Sequence, residues 1–159
     1  MLMKIGFTGT QGTVTVAQFD LLTAVVDELE EMTEAHHGDC IGADKVFSDL
    51  VDAIKFGTKI HSHPPIDEAK RAFCRADVEY EAKDFLVRNH DIVDACEMLI
   101  ACPKTKEVLR SGTWATVRYA RKSNKPIVIL WADGKYTYEN QSAAESRQAE
   151  KDENEETQS

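Results

Sequence analysis

Two short turns rich in glycine and threonine have the residue types that hold a phosphate group. The first, Thr8-Gly9-Thr10-Gln11-Gly12, lies at the end of an apolar segment, and the second, Ser111-Gly112-Thr113-Trp114, opens a helical pattern. At a helix amino end, free backbone N–H groups and the positive end of the helix dipole favour an anion. We therefore predict that both turns bind a nucleotide-like small molecule, although the same residues are also typical of ordinary turns and caps.

The charge around the second turn favours an anionic ligand. Between residues 103 and 125 there are seven basic residues and one acid, a local charge of +6. The whole chain of 159 residues carries −9, and residues 139–159 account for −5 of it. A body that is acidic overall is a poor match to a nonspecific nucleic-acid binder, so we predict that nucleic acid is not a partner. A solvated, charged helix face is the alternative explanation of the basic segment.

Several charged and aromatic residues are further candidates for the site. We expect Asp39 and Asp44 to face the sugar of the ligand, although Asp44 also suits a helix first turn, where an acid complements the dipole. Arg88, followed by Asn89, fits a charge-assisted contact to a phosphate or a base, or else a surface position that ends a helix. Trp114 suits either stacking on a base or packing in the core. We predict no metal and no cofactor, because His61 and His63 have strand spacing but lack a recognisable third ligand.

These residues need a scaffold of alternating strands and helices. Apolar segments predict strands over 3–8, 35–37, 59–61, 98–101 and 125–130, with a capping box, Thr15 to Gln18, opening the first helix. That helix is expected to run to about Met32. A second helix is expected to start at 42–44, and another to cover 113–123. Residues 66–96 are read as mostly helical. The pattern predicts a single Rossmann-like α/β domain, a three-layer sandwich with a mostly parallel five-stranded sheet.

The predicted topology places the site at the carboxyl ends of the strands. In such sheets, ligands bind where the strand order reverses, and the strands that carry the two turns are the natural neighbours there. We expect the domain to cover residues 1–135, with a disordered acidic tail over 136–159. The chain has no apolar run of about 20 residues, no leader pattern and no C-x-x-C pair among its four cysteines, which favours a cytoplasmic protein without a membrane partner.

Five motifs together resemble a known superfamily. They are Gly6-Phe7-Thr8-Gly9, His37-Gly38-Asp39-Cys40-Ile41-Gly42-Ala43-Asp44, Arg88-Asn89, Ile100-Ala101-Cys102-Pro103 and Ser111-Gly112-Thr113-Trp114. In this order they are similar to the SLOG superfamily, and most of all to its small YspA/YpsA-like branch. That superfamily includes the Lonely-guy phosphoribohydrolases and the DNA-processing proteins. The resemblance implies a nucleotide-binding site that includes Gly38, Gly42 and Pro103, and a homo-dimer or higher homo-oligomer.

The resemblance also bears on catalysis. The phosphoribohydrolases cut the N-glycosidic bond of nucleoside monophosphates, and Arg88 matches their active-site arginine while Gly112 and Thr113 match their Gly-Thr pair. Their catalytic glutamate has no match, because Thr116 stands there, and a hydroxyl cannot stabilise an oxocarbenium-like charge as a carboxylate does. We therefore expect a sensor or sequestering protein for a nucleotide-derived, ADP-ribose-like ligand. The alternatives are an N-glycosidic hydrolase or transferase that uses Arg88 with Asp44 or another acid, and a DNA-processing or protein-interaction module.

Overall fold

The computed structural model describes residues 2–140. The elements follow one another as β1 (Met3–Gly9), α1 (Val16–Glu28), β2 (Met32–His37), α2 (Ala43–Ile54), β3 (Lys59–Ser62), a 3-10 turn (Glu68–Lys70), β4 (Val78–Glu79), α3 (Phe85–Ala95), β5 (Met98–Cys102), α4 (Gly112–Lys122), β6 (Ile127–Leu130) and β7 (Tyr136–Glu139). Strands and helices thus alternate over most of this length, as expected for an α/β fold.

The strands form one sheet in the order β4-β3-β2-β1-β5-β6-β7. Neighbouring strands are parallel except for β6 and β7, which pair antiparallel. The chain moves outward from β1 through β2 to β4 and then returns to place β5 on the other side of β1. Strand order therefore reverses between β1 and β5, and their carboxyl ends flank the crevice where ligands bind in such sheets.

The prediction of five strands was wrong, because the sheet has seven strands within residues 2–140. The first additional strand, β4, has only two residues and pairs with β3. The second, β7, forms a hairpin with β6 through a turn that contains Asp133 and Gly134, where Gly134 has a φ of 90°. Residues 136–139, assigned from the sequence to the acidic tail, therefore belong to the sheet. Residues 141–159 of that tail lie outside the described part of the chain.

Helices cover both faces of the sheet. Helices α1 and α2 contact each other on one face, and α3 and α4 contact each other on the other. On the first face, Phe7 of β1 stacks on Phe47 of α2 with ring centroids 4.5 Å apart. On the second, Trp114 and Val117 of α4 pack against Leu99 and Ile129. The buried residues of β5 and β6 contribute to both cores, and those of β1 contribute to the first, so the strands that flank the crevice are held by packing.

The predicted capping box of α1 is present. Thr15 Oγ1 accepts a hydrogen bond from Gln18 N, and Gln18 Oε1 accepts one from Thr15 N. The Gln18 amide group also donates to the carbonyl oxygens of Pro103 and Leu130 at 2.8 and 3.0 Å. This buried side chain thus ties the start of α1 to the carboxyl ends of β5 and β6.

Residues 66–84 are not the helix that the sequence pattern indicated. Only α3, from Phe85, is an α-helix, and the preceding chain is extended apart from the 3-10 turn. Long-range contacts hold it in place: Arg75 Nη2 lies 2.7 Å from Asp52 Oδ1, and Asp77 Oδ2 accepts from Ile60 N at 2.8 Å. Helix α1 likewise ends at Glu28, because Met32 already begins β2. None of the helices within residues 2–140 has the length and apolar character needed to cross a membrane.

Candidate functional site

A cavity of about 550 Å³ opens at the carboxyl ends of β1 and β5. The turn after β1 forms one wall, the amino end of α4 forms another, and α2 and α3 contribute side chains. Twelve of the residues singled out from the sequence line it: Thr8, Gly9, Thr10, Gln11, Gly38, Asp44, Arg88, Asn89, Ser111, Gly112, Thr113 and Trp114. The two turns, about 100 residues apart in the chain, therefore share one cavity.

The amino end of α4 is the clearest anion-binding element. Ser111 caps the helix, and its Oγ accepts a hydrogen bond from Trp114 N at 3.3 Å. The N–H groups of Gly112 and Thr113 belong to the first turn, where an α-helix provides no acceptor. Both residues line the cavity, so these donors and the positive helix end are available to a negatively charged group.

Gly112 leaves open space that the fold itself does not need. A Cβ built on this residue would meet no heavy atom within 4 Å among the described residues, and its φ lies outside the left-handed region. Gly38 is the opposite case, because a Cβ there would lie 1.6 Å from Arg88 Nη1. The close packing of Arg88 explains why residue 38 is glycine. At position 112 no packing within residues 2–140 requires glycine, and its missing side chain leaves room beside the cavity.

Most of the charged residues that line the cavity are basic. Lys70, Arg88, Lys104 and Arg110 line it, whereas Asp44 is the one acid among the lining residues within residues 2–140. Lys104 and Arg110 lie in the basic segment of residues 103–125, and both are exposed. This excess of positive charge, next to the amino end of α4, favours an anionic ligand.

The Arg88 side chain is buried, and its guanidinium makes hydrogen bonds to other residues of the protein. Its Nη1 donates to the carbonyl oxygens of Gly38 and, at 3.3 Å, of His63, and its Nη2 lies 3.3 Å from Cys40 Sγ. Its buried Nε has no hydrogen-bond partner within residues 2–140. The surface alternative for Arg88 is therefore wrong. Its guanidinium holds the chain after β2 against α3 and contributes positive charge to the wall of the cavity.

Asp44 is a buried carboxyl group beside Arg88. Its Oδ2 accepts a hydrogen bond from Cys40 N at 3.1 Å, which ties the turn after β2 to the start of α2. Burial raises the pKa of Asp44 to about 6, although the nearby positive charge of Arg88 opposes the shift. A carboxyl group that titrates near neutral pH inside a cavity has the properties of an acid–base group.

Four residues expected at the site do not line the cavity. Asp39 has a buried carboxylate that accepts from Arg71 Nε at 2.8 Å and from Cys74 N at 2.9 Å, so it secures residues 71–74 instead of facing a sugar. Gly42, with a φ of 93°, packs against the backbone of Thr10 and Gln11 at the start of α2. The other two are Gly12, whose N–H donates to Thr10 Oγ1, and Pro103, whose carbonyl accepts from Gln18.

The first two turns of α4 contain two further residues considered in the sequence analysis, Trp114 and Thr116, and both side chains are buried. Trp114 is 1% exposed, packs at 5.6 Å from Trp131, and donates its indole N–H to Thr105 O at 3.2 Å. It is a core residue whose edge closes the cavity. Thr116, at the position of the missing glutamate, is buried and donates its hydroxyl to Gly112 O at 2.8 Å. Neither a carboxylate nor a free hydroxyl is present there.

Some of the lining residues could not be found from the sequence. Lys70 and Phe85 come from the stretch read as helical, and the Lys70 ammonium lies 5.4 Å from the centre of the Phe85 ring. Cys40 also lines the cavity, and burial raises the pKa of its thiol. The contact of Lys70 with Phe85 depends on the extended path of residues 66–84, which no local pattern indicates.

Compared by sequence, the chain matches no family model and no curated protein. Among solved structures it is similar to TM1055, a structural genomics target, with a TM-score of 0.62 and 19% identity over 82% of this chain and 74% of that one. It is also similar to the molybdenum cofactor binding protein from Rippkaea orientalis, with a TM-score of 0.63 and 18% identity over 82% and 77%. DNA processing protein A from Streptococcus pneumoniae matches with a TM-score of 0.61 and 17% identity over 80% of this chain and 50% of that one.

These similarities show a shared fold. The chain has an α/β fold with a mostly parallel sheet and flanking helices, as these solved structures do. The match to DNA processing protein A spans half of that protein.

Proposed function

We propose that the cavity binds a phosphorylated, nucleotide-like small molecule, and that the protein acts as its sensor or sequestering agent. The observation that carries the proposal is the amino end of α4, which opens into the cavity with free space at Gly112. Its first-turn N–H groups suit a phosphate oxygen, and the four basic lining residues would neutralise the negative charge.

The remaining walls suit the other parts of such a ligand. A volume of about 550 Å³ lies within the range of small-molecule sites and accommodates a molecule of ADP-ribose size. We assign one phosphate to Gly112 and Thr113 and a second to the turn at Thr10 and Gln11. The half-buried ring of Phe85 offers a surface on which a base can stack. An ADP-ribose-type ligand is thus the finer form of the proposal.

The structural neighbours support a ligand-binding role without identifying the ligand. One of them is a molybdenum cofactor binding protein, and another is a DNA processing protein. The acidic body of this chain and the volume of the cavity, about 550 Å³, favour a small molecule over nucleic acid. The YspA/YpsA-like relationship, a single domain that extends through β7 to Glu139, and a homo-dimer or higher homo-oligomer remain predictions. Light scattering after size-exclusion chromatography measures the oligomeric state.

The proposal is tested by titration calorimetry and thermal shift. The panel contains AMP, ADP-ribose, cyclic ADP-ribose isomers, inorganic pyrophosphate and a single-stranded oligodeoxynucleotide. We expect a nucleotide to raise the Tm of the wild type but not that of Gly112→Trp. The matched control is Val16→Trp, at the first position of α1, where the side chain is 79% exposed and does not line the cavity. An equal response of Gly112→Trp, or a response to the oligodeoxynucleotide alone, would contradict the proposal.

A second candidate function is cleavage of an N-glycosidic bond, with Asp44 as the acid–base group. The specific observation in its favour is the buried carboxyl group in the cavity, whose pKa is raised to about 6 beside Arg88. Chromatography for free base after incubation with nucleoside monophosphates distinguishes the two functions. Release of base by the wild type, lost in Asp44→Asn while binding is retained, would establish the enzyme. Binding without release of base supports the sensor or sequestering role.

A further inference from the structure

A second cluster of reactive side chains lies outside the cavity, on strands β2 and β3. Glu34 and His36 are two residues apart on β2, so their side chains share one face of the sheet. His61 of β3 is the register partner of His36. None of these three residues lines the cavity. The pairing of the two strands brings together a carboxylate and two imidazoles that are far apart in the sequence.

The distances within this cluster suit a metal ion. Glu34 Oε1 lies 2.9 Å from His36 Nε2 and 3.4 Å from His61 Nε2, and all three atoms are within 4.8 Å of one another. Zinc ligands at about 2.0–2.1 Å in tetrahedral geometry lie roughly 3.3 Å apart. The side chains therefore need only small rotations to surround one ion. The other carboxylate oxygen, Glu34 Oε2, faces Lys4 Nζ at 3.6 Å.

One of these ligand atoms lacks a hydrogen-bond partner. His61 is 8% exposed, and its buried Nε2 makes no hydrogen bond within residues 2–140, although Glu34 Oε1 is close to it. The contact of 3.4 Å is short enough for an ion pair but lacks hydrogen-bond geometry. Buried polar atoms are rarely left in this way. A cation beside Glu34 Oε1 would give His61 Nε2 the partner that it lacks.

The opposite nitrogen of each imidazole is held by a neighbour. His61 Nδ1 lies 2.9 Å from the hydroxyl of Tyr80, and His36 Nδ1 lies 2.9 Å from His63 Nε2. Metal-binding histidines characteristically use the nitrogen that does not touch the metal for such a hydrogen bond, which fixes the ring and its tautomer. Both rings thus have the supporting contacts of ligands, and each Nε2 lies within 3.4 Å of the same carboxylate oxygen.

We propose that Glu34, His36 and His61 bind one divalent transition-metal ion of the Zn²⁺ type. Two imidazoles and one carboxylate form a donor set that zinc uses with three protein ligands, leaving a fourth position for water. Glu34 is the most exposed of the three, with 25% of its side chain accessible, and so provides the route of entry. His63 and Tyr80 act as positioning residues, because they hold the ligands without contacting the ion.

The test is titration of the full-length, metal-stripped protein with Co²⁺ and Zn²⁺, followed by visible absorption and calorimetry. We expect one equivalent to bind to the wild type, with a Co²⁺ spectrum of nitrogen and oxygen ligands. Tyr80→Phe should weaken metal binding by about 10–100-fold, the effect typical of removing a hydrogen-bond partner of a ligand. Glu34→Gln and His61→Gln remove ligands themselves and should weaken binding by more than that. The control is His90→Ala, which removes an exposed imidazole that stacks on Tyr119 outside the cluster.

The outcomes separate this site from other metal-binding groups of the chain. Circular dichroism and the Tm of each metal-free variant show whether it folds, and only folded variants are compared. Wild-type affinity in Glu34→Gln and His61→Gln would overturn the proposal, as would a sulfur-to-Co²⁺ charge-transfer band, which would indicate cysteine ligands. Loss of binding in His90→Ala to the same extent, or no stoichiometric binding by the wild type, would also overturn it.

Discussion

Replacing Gly112 with alanine separates the needs of the fold from those of the ligand. Replacing glycine with alanine at a position whose backbone conformation suits alanine stabilises a protein by about 0.4–1 kcal/mol, mainly because it lowers the entropy of the unfolded chain. A Cβ at position 112 meets no atom within 4 Å among the described residues. We therefore expect Gly112→Ala to raise the free energy of unfolding by up to about 1 kcal/mol. For a domain of this size, that corresponds to a Tm higher by about 2–4 °C.

The same methyl group should weaken ligand binding. It would occupy the space through which a phosphate approaches the N–H groups of Gly112 and Thr113. Loss of one hydrogen bond to a charged group is worth about 1.5–3 kcal/mol, which corresponds to roughly a tenfold to hundredfold higher Kd. The fold and the ligand thus make opposite demands on one residue.

Two measurements check this prediction. Chemical denaturation gives the free energy of unfolding, and titration calorimetry gives the Kd for whichever nucleotide of the panel binds the wild type. A Gly112→Ala protein that is less stable than the wild type would show that the glycine serves the fold. An unchanged Kd would show that no phosphate lies at this helix end. Either result would refute the reasoning about α4.

Three further substitutions test the assignments of individual residues. Gly38→Ala should lower the free energy of unfolding by about 1–3 kcal/mol in denaturation experiments, because its Cβ would displace the Arg88 side chain; wild-type stability would contradict this. Asp39→Asn should lower the free energy of unfolding by about 3 kcal/mol, because it disrupts the buried ion pair with Arg71, and should leave the nucleotide Kd unchanged. A higher Kd with unchanged stability would show that Asp39 contacts the ligand. The pKa of Asp44 is about 6 in the folded protein and 3.8 in the unfolded chain, so the free energy of unfolding of the wild type falls as pH rises through this window. Relative to Asp44→Asn, the loss should reach about 3 kcal/mol. Parallel pH profiles of the two proteins would contradict this.

Local patterns were sufficient to predict the elements that carry the two turns. The capping box at Thr15, the apolar rows of β1 and β5, and the start of α4 are all encoded in neighbouring residues. The neighbouring positions of β1 and β5 were predicted from the general rules of parallel sheets, and both turns line one cavity. The strand β7 had a local signal too, because Asp-Gly before alternating tyrosines is typical of a hairpin.

Long-range contacts decided what the sequence could not indicate. Residues 66–84 are rich in charged residues that suit a helix, yet Arg71, Arg75 and Asp77 pair with distant partners and keep the chain extended. The role of Asp39 depends on Arg71, 32 residues away, and no local pattern indicates this contact. Glu34 and His61 likewise come together only through the register of β2 with β3.

The central claim is that the turn after β1 and the amino end of α4 bind the phosphates of one ligand. Amide ¹H–¹⁵N spectra of the protein titrated with ADP-ribose, and separately with pyrophosphate, test it directly. We expect the resonances of Gln11, Gly112 and Thr113 to shift together and to give a single Kd. Shifts at only one of the two turns, or at neither, would contradict the claim.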